Sequence, residues 1–222
     1  MSHLLSVPAA AALANLSLSG DRPVIVCDAD EVLVQFIAGL EAYLAGRGFH
    51  LDVSSLAIHG NVRHGPEGDV VPRDQVTELM QAFFAEGTET LEPVPGAAEA
   101  LAGLSAHAEI VILSNVPASD ADKRTRNLRR HGMDYPLIPN EGVKGPALAA
   151  IAARAHGQPI FFIDDLPHNL KSAAEHAAHS TRLHYMADPR LSRLMPTSAH
   201  AHYRPHDWHD AARFIREHLA GA

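Results

Sequence analysis

Cysteine is almost absent from this sequence, since Cys27 is the single one among 222 residues. One cysteine excludes an intramolecular disulfide, and a chain of this length can bury enough apolar surface to fold without disulfides or a structural metal. Cys27 lies within an apolar run, where a small buried side chain is expected. These features predict an ordinary soluble protein of a reducing, cytoplasmic compartment.

The sequence also lacks the marks of a membrane-spanning or exported protein. No apolar run approaches the roughly 20 residues that cross a bilayer. The leader from Met1 to Gly20 is rich in Ala and Leu, but no Lys or Arg precedes Arg22, so the positively charged start of a signal peptide is missing. We expect no membrane partner, and we interpret the leader as a helix packed on the body of the protein or as a loose tail.

Basic residues are few and scattered, and the net charge is -8 with neutral histidines, which argues against a nucleic-acid partner. No G-x-G-x-x-G or P-loop sequence is present to bind phosphate. Histidine is abundant, with 16 in the chain. Four of them, at positions 200, 202, 206 and 209, match no structural zinc spacing and lack thiolate partners, so we interpret that segment as solvated.

Four short apolar runs predict buried strands, and the first three are continuously apolar, as parallel strands covered on both faces are. Helical patterns between the runs complete a strand-helix alternation, which predicts right-handed crossovers and a doubly wound α/β sheet. The predicted strands are Val24 to Cys27, Ile110 to Leu113, Ile160 to Ile163 and Thr181 to Tyr185, and the helices include Ala97 to Leu104 and Pro146 to Ala155.

One segment of about sixty residues interrupts this alternation after the first strand and contains no convincing parallel strand. It carries two amphipathic helical patterns, one marked by Leu33, Phe36, Ile37, Leu40 and Leu44, and one by Val76, Leu79, Met80, Phe83 and Phe84. We interpret residues 32–92 as a small helical cap inserted into an α/β core of residues 1–31 and 93–222. The apolar cap helices leave both a monomer and a homodimer open.

Polar side chains follow three of the predicted strands. Asp28 and Asp30 come directly after the first strand, where alternation points both to the same side, and two like charges that close usually need a metal ion or a shared proton. Ser114 and Asn115 follow the second strand, Asp164 and Asp165 follow the third, and Lys144 precedes a helix. Because ligands of open α/β sheets bind at the carboxyl ends of strands, these clusters are expected to meet there.

In this order the residues resemble the haloacid dehalogenase-like hydrolase superfamily, whose motifs run Asp-x-Asp-x-(Thr/Val), Ser or Thr, Lys, and an acidic pair. The matching residues are Asp28, Asp30 and Val32, then Ser114, then Lys144, then Asp164 and Asp165. The resemblance spans roughly Val24 to Tyr185, and the insertion resembles the family's helical cap in the same slot. Lys123 remains an alternative for the third motif.

The resemblance implies a Mg²⁺-dependent phosphatase that acts on a small phosphate ester through an aspartyl-phosphate. It assigns nucleophilic attack to Asp28 and proton transfer to Asp30. The resemblance also implies that Ser114, Asn115 and Lys144 bind the phosphate. It further implies that Mg²⁺ is held by Asp28, Asp165 and the backbone carbonyl of Asp30, with Asp164 ligating through water. Asp30 favours a phosphatase over a dehalogenase, because halide leaves without a proton.

Two questions stay open in the sequence. His59, Arg63 and His64 lie on the loop between the presumed cap helices, and we hypothesise that Arg63 binds a second anionic or hydroxylated group of the substrate. The function itself has rivals: a dehalogenase or phosphomutase of the same fold, or a non-catalytic module that binds phosphate or Mg²⁺.

Overall fold

A computed structural model describes residues 5–220. Within them, seven strands are β1 Val24–Cys27, β2 His50–Leu51, β3 Val62–Arg63, β4 Glu109–Ser114, β5 Leu137–Pro139, β6 Ile160–Asp164 and β7 Thr181–His184. The α-helices are α1 Val7–Ala14, α2 Phe36–Ala45, α3 Arg73–Gly87, α4 Ala97–Ser105, α5 Ala121–Arg130, α6 Gly145–Arg154, α7 Pro167–His176, α8 Pro189–Leu194 and α9 Trp208–Ala220. Short 3-10 turns cover Thr88–Thr90 and Ala118–Asp120.

Five strands form one parallel sheet in the order β5-β4-β1-β6-β7. The strand β1 is central and fully buried, and its last residue, Cys27, lies between Ile112 of β4 and Ile163 of β6. The chain leaves β1 for β4 on one side and later returns to β6 on the other. The carboxyl end of β1 is therefore the switch point where open α/β sheets bind ligands.

Apolar side chains pack on both faces of this sheet. Val24 and Val26 of β1 point to the face covered by α1, α6 and α7, while Ile25 and Cys27 point to the face covered by α4 and α9. The predicted doubly wound α/β fold is confirmed. Part of the leader is the helix α1, whose Ala9 and Leu13 are buried, whereas its first four residues, 1–4, lie outside the described part of the chain.

The insertion after β1 contains the two predicted helices, α2 and α3, and a short antiparallel hairpin, β2–β3, that the sequence did not reveal. Edge-on aromatic contacts of Phe83 with Phe36 and Tyr43 join the two helices. The buried residues of the insertion are continuous with the core on one face of the sheet. The cap segment is thus packed firmly on the body near the end of β1.

The C-terminal part closes this face. Asp207 directly precedes α9, and its Oδ1 accepts the N–H of Asp210 at 2.8 Å, as an N-cap side chain does. The indole Nε1 of the buried Trp208 donates to the carbonyl of Val32 at 2.8 Å, which ties α9 to the loop after β1. Of the four histidines in the segment predicted to be solvated, His206 and His209 are exposed and His200 is half-buried. His202 is exposed but is held by Arg182 of β7, which lies 2.9 Å from its Nδ1 and 3.1 Å from its Nε2, and the backbone at Tyr203 bridges to β7.

No helix within residues 5–220 is both long enough and apolar enough to cross a membrane.

Candidate active site

Asp28 continues the sheet by one residue beyond β1. Its backbone N–H donates to the carbonyl of Ile163 at 2.9 Å, and this bond holds the side chain above the carboxyl edge of the sheet. The carboxylate is only 5% exposed. Its Oδ1 accepts the N–H of Ala29 at 2.6 Å and lies 2.6 Å from Nζ of Lys144. Oδ2 accepts no hydrogen bond from residues 5–220, so this oxygen is left for chemistry.

Lys144 is buried directly before α6 and bridges two carboxylates. Its Nζ lies 2.6 Å from Oδ1 of Asp28 and 2.8 Å from Oδ2 of Asp164. Burial alone would lower the pKa of the ammonium group, but the two carboxylates raise it above its ordinary value. Gly145 allows this arrangement, because a Cβ there would overlap the carbonyl and hydroxyl oxygens of Ser172 on α7.

The two acids after β6 have different surroundings. Both oxygens of Asp164 are occupied, since Oδ1 accepts from the N–H of Leu166 and from Nδ2 of Asn169, and Oδ2 pairs with Lys144. Oδ1 of Asp165 is buried and has no partner within the described residues, and the same is true of Oδ1 of Asn169. Asp164 therefore orients the lysine, while Asp165 and Asn169 present unpaired oxygens to the site.

These acids form a cluster that suits a cation. One carboxylate oxygen each from Asp28, Asp164 and Asp165 lies within 4.8 Å of the others, and no other such group is found among residues 5–220. Burial raises the pKa of Asp28 to about 7, and burial with the Asp164 and Asp28 charges raises that of Asp165 well above its usual range. Crowded carboxylates with unpaired oxygens match the all-oxygen donor set of a hard divalent ion.

Asp30 lies at the rim of the site, and its partner was missed by the sequence reasoning. Its side chain is 22% exposed, and its Oδ1 accepts a hydrogen bond of 2.6 Å from Nη2 of Arg124 on α5. Arg124 is fully buried, and its Nε and Nη1 have no partner within the described residues. One signal could have singled it out: Arg124 lies one turn before Leu128, which marks the buried face of an otherwise polar helix.

Glu31, which the sequence did not single out, is buried next to Asp30. It has a left-handed backbone with φ +57°, which is rare for a residue with a side chain. Its buried carboxylate accepts the N–H of Ile37 at 2.7 Å and the N–H of Asp188 at 2.8 Å. Burial raises its pKa to about 7 although these donors lower it. Glu31 thus joins the loop after Asp30 to the start of α2 and to the segment before α8.

The predicted phosphate-binding residues lie in different settings. Ser114 ends β4 with its hydroxyl buried and accepting the N–H of Val116 at 3.3 Å. The amide of Asn115 donates to the carbonyl of Gly142 at 2.9 Å and accepts from Asn140 at 2.9 Å. Asn115 therefore braces the loop that leads to Lys144, and it also lines the site cavity.

Two other sequence-based candidates lie away from the acids. Arg63 is on β3, where its guanidinium faces Asp52 at 3.9 Å and donates to the carbonyl of Gly68, and it does not line the site cavity. Lys123, the alternative lysine, binds the carbonyl of Ala85 and the carboxylate of Asp120. Lys144 is therefore the lysine that meets the acidic cluster.

A cavity of about 220 Å³ opens over the cluster and is lined by Asp28, Asp30, Lys144, Asp165, Asn115 and Asn169 together with apolar side chains from the cap and the core. Three larger cavities, of about 470, 450 and 340 Å³, are lined by none of Asp28, Lys144 and Asp165. The chemistry-bearing residues therefore share the smaller cavity.

No family model matches the chain, and no curated protein matches it. Solved structures do. A HAD family hydrolase from Deinococcus radiodurans R1, with bound phosphate and sodium, is 20% identical, with a TM-score of 0.60 over 90% of this chain and 98% of that chain. This chain has the haloacid dehalogenase-like fold.

Other solved structures similar to this chain belong to proteins named for different activities. A defluorinating L-2-haloacid dehalogenase is 16% identical, with a TM-score of 0.59 over 90% of this chain and 99% of that chain. A proposed β-phosphoglucomutase from Bacteroides vulgatus is also 16% identical, with a TM-score of 0.55 over 96% of this chain and 97% of that chain. Because proteins of one fold catalyse different reactions, the residues of the site determine the activity.

Proposed function

We propose that the protein is a Mg²⁺-dependent phosphoric monoester hydrolase that acts on a small phosphorylated metabolite through an aspartyl-phosphate. The observation that carries this proposal is the convergence of Asp28, Lys144 and Asp165 on one cavity, with Oδ2 of Asp28 and Oδ1 of Asp165 free of protein hydrogen bonds. A free carboxylate oxygen beside a buried ammonium group is the arrangement that nucleophilic attack on phosphorus requires.

The donor set fits a hard divalent cation. Asp28, Asp165 and the backbone carbonyl of Asp30 would hold Mg²⁺, and the unpaired oxygen of Asn169 would accept from one of its waters. Asp164 would act at most through water, because Lys144, Leu166 and Asn169 already occupy its oxygens. The bound ion would neutralise charge on the phosphoryl group and on the acids around it.

The residues divide the reaction into two displacements. Asp28 attacks phosphorus through Oδ2, the ester P–O bond breaks, and the leaving alkoxide takes a proton from Asp30. Water then attacks the same phosphorus while Asp30 takes a proton from it, and the bond to Asp28 breaks to release inorganic phosphate. Throughout, Lys144 holds Oδ1 of Asp28 and keeps Oδ2 directed at the substrate.

The rival functions differ from this proposal in the groups they need, in the acceptor of the phosphoryl group, or in turnover. A dehalogenase would need neither a proton donor for halide nor a cation, so Asp30 and the three-acid cluster favour phosphoryl chemistry. A phosphomutase would return the phosphoryl group to a sugar rather than to water. A binding module would retain phosphate or Mg²⁺ without turnover.

The test is release of inorganic phosphate from p-nitrophenyl phosphate. We expect turnover that requires Mg²⁺ and stops with EDTA. Asp28→Asn should abolish it, and Asp30→Asn should lower kcat by about 100-fold or more while Mg²⁺ affinity stays nearly unchanged. Asp69→Asn, an exposed acid of the cap, is the matched control and should keep full activity. Halide release from a 2-haloacid without phosphatase turnover, or full activity in EDTA, would contradict the proposal.

A further inference from the structure

We propose that the substrate is a monophosphate ester whose alcohol part is small, uncharged and apolar, such as an aryl or branched alkyl alcohol. This inference rests on the proposed function, and it names the substrate class of the same site.

The cap side of the cavity is made of apolar side chains. Phe36 and Ile37 of α2, Phe84 of α3, and Leu56 and Ile58 of the loop between β2 and β3 face the space above the acids. The alcohol part of a bound ester must lie on this side, because its phosphate is held by the acids and lysine at the sheet edge. Removing such apolar surface from water favours an apolar group there.

The core side of the cavity adds Leu166, Met186 and Leu191 opposite the cap residues. The alcohol part would therefore lie between two apolar walls, with the charged groups of the cavity at its phosphate end. A substrate hydroxyl held between these walls would lose its water without gaining a partner. Such a loss costs roughly 1–3 kcal/mol for each polar group.

Charge in the cavity excludes a second anionic group. Lys144 is the one cation that lines it among the described residues, and Asp28 and Asp164 already pair with its ammonium group. The other ionisable lining groups, Asp30, Glu31 and Asp165, are acids and would repel a carboxylate or a second phosphate. The structure thus points away from the sequence-based hypothesis that Arg63 binds such a group.

Leu56 supplies a further indication at the mouth of the cavity. It is 43% exposed, and it is one of only four large apolar side chains with such exposure among residues 5–220. An exposed leucine beside an apolar cavity is expected where a ligand covers it. The cavity volume of about 220 Å³ lies below the roughly 300–1,000 Å³ of typical ligand pockets, so the alcohol must be small.

The test compares esters of similar alcohols at saturating Mg²⁺. Isobutyl phosphate and glycerol 3-phosphate are both esters of primary alcohols, and 2-phosphoglycolate adds a carboxylate. We expect kcat/KM for isobutyl phosphate to exceed that for glycerol 3-phosphate by at least about tenfold and that for 2-phosphoglycolate by more. Equal or faster hydrolysis of the polar esters would overturn the inference and leave the proposed function standing. Failure to hydrolyse any ester would overturn the proposed function, and this inference with it.

A variant pair links the preference to the cavity wall. Leu56→Arg places a cation at the mouth and should lower the preference for isobutyl phosphate over 2-phosphoglycolate by at least about tenfold. Val70→Arg is the matched control, since Val70 is 46% exposed in the same segment and does not line the cavity. The inference that the apolar cap wall contacts the substrate would be overturned by either of two results. One is a ratio of kcat/KM for isobutyl phosphate to kcat/KM for 2-phosphoglycolate that stays unchanged in Leu56→Arg; the other is an equal change of this ratio in both variants.

Discussion

Asp30 and Arg124 form a charged pair whose members differ in exposure. The guanidinium is fully buried and the carboxylate reaches the cavity, so the arginine can hold the acid in one orientation without entering the site itself. Two of its nitrogens lack partners within the described residues, although a buried unpaired donor is costly. An arginine kept at such cost is expected to serve the acid, and in the proposed reaction Arg124 would position Asp30 for proton transfer.

Replacing Arg124 by methionine is expected to lower kcat by about 10- to 100-fold with little change in KM, because Asp30 loses the donor that orients it. Steady-state kinetics measure kcat and KM separately.

Arg124→Lys provides the control, because it keeps the charge with fewer donors and should restore part of kcat. The free energy of unfolding of Arg124→Met should stay near the wild-type value, since removing a partly unpaired buried charge relieves a cost. A large loss of stability together with an unchanged kcat of the folded variant would show that Arg124 is merely structural.

At the scale of elements, α5 joins the active site to the end of the cap. The helix that carries Arg124 also binds the segment that follows α3: Lys123 donates to the carbonyl of Ala85, and Nδ2 of Asn127 donates to the carbonyls of Glu89 and Leu91. His131, just after the helix, contacts the carbonyl of Leu91. One helix therefore holds both Asp30 and the linker from the cap to the core.

Asn127→Ala is expected to lower the free energy of unfolding by about 1–3 kcal/mol, because it leaves the carbonyls of Glu89 and Leu91 without this donor. Asn15→Ala removes an exposed asparagine at the end of α1 and should change stability by less than about 0.5 kcal/mol. Guanidinium denaturation of both variants measures the difference. Equal effects would show that α5 does not depend on Asn127 for its hold on the linker.

At the scale of the whole molecule, the acidic cluster opposes stability when no cation is bound. Burial and neighbouring acids raise the pKa of Asp28 to about 7, so the folded protein binds a proton that the unfolded chain has released above about pH 4. Unfolding then releases a proton, and rising pH favours the unfolded state. The stability contribution of this group is full below about pH 4 and is lost as pH rises through about 7.

Asp28→Asn cannot ionise, so its free energy of unfolding in EDTA should exceed that of the wild type by an amount that grows between pH 5 and pH 8, reaching a few kcal/mol. Chemical denaturation at the two pH values measures this. Added Mg²⁺ should stabilise the wild type at pH 8, because it binds the folded state. If the difference in free energy of unfolding between Asp28→Asn and the wild type shrinks as pH rises, the buried carboxyl group of Asp28 does not oppose stability in this way.

Local pattern in the sequence is enough to predict several strands and the residues at their ends. Continuous apolar runs predict β1, β4 and β6, and the residues that end them place Asp28, Ser114 and the Asp164–Asp165 pair at one edge of the sheet. The sequence did not predict β5, because this strand has only three residues and ends in a proline. Proline is tolerated there because β5 is an edge strand of the sheet. The sequence did not predict α5 either, because Leu128 is its single large apolar residue and one such residue cannot show a helical period.

The pairing of the polar groups and their surroundings depend on long-range packing and are visible only in the folded protein. Arg124 and Asp30 are 94 residues apart, and no periodicity connects them, because their contact depends on how α5 packs beside the end of β1. The same holds for Glu31 and its partner N–H at Asp188. Packing likewise sets which cap side chains line the cavity: Leu56, on the loop between β2 and β3, lines it, while Arg63, on β3, faces Asp52. The sequence does not show this, because the course of a loop depends on the distant residues it packs against.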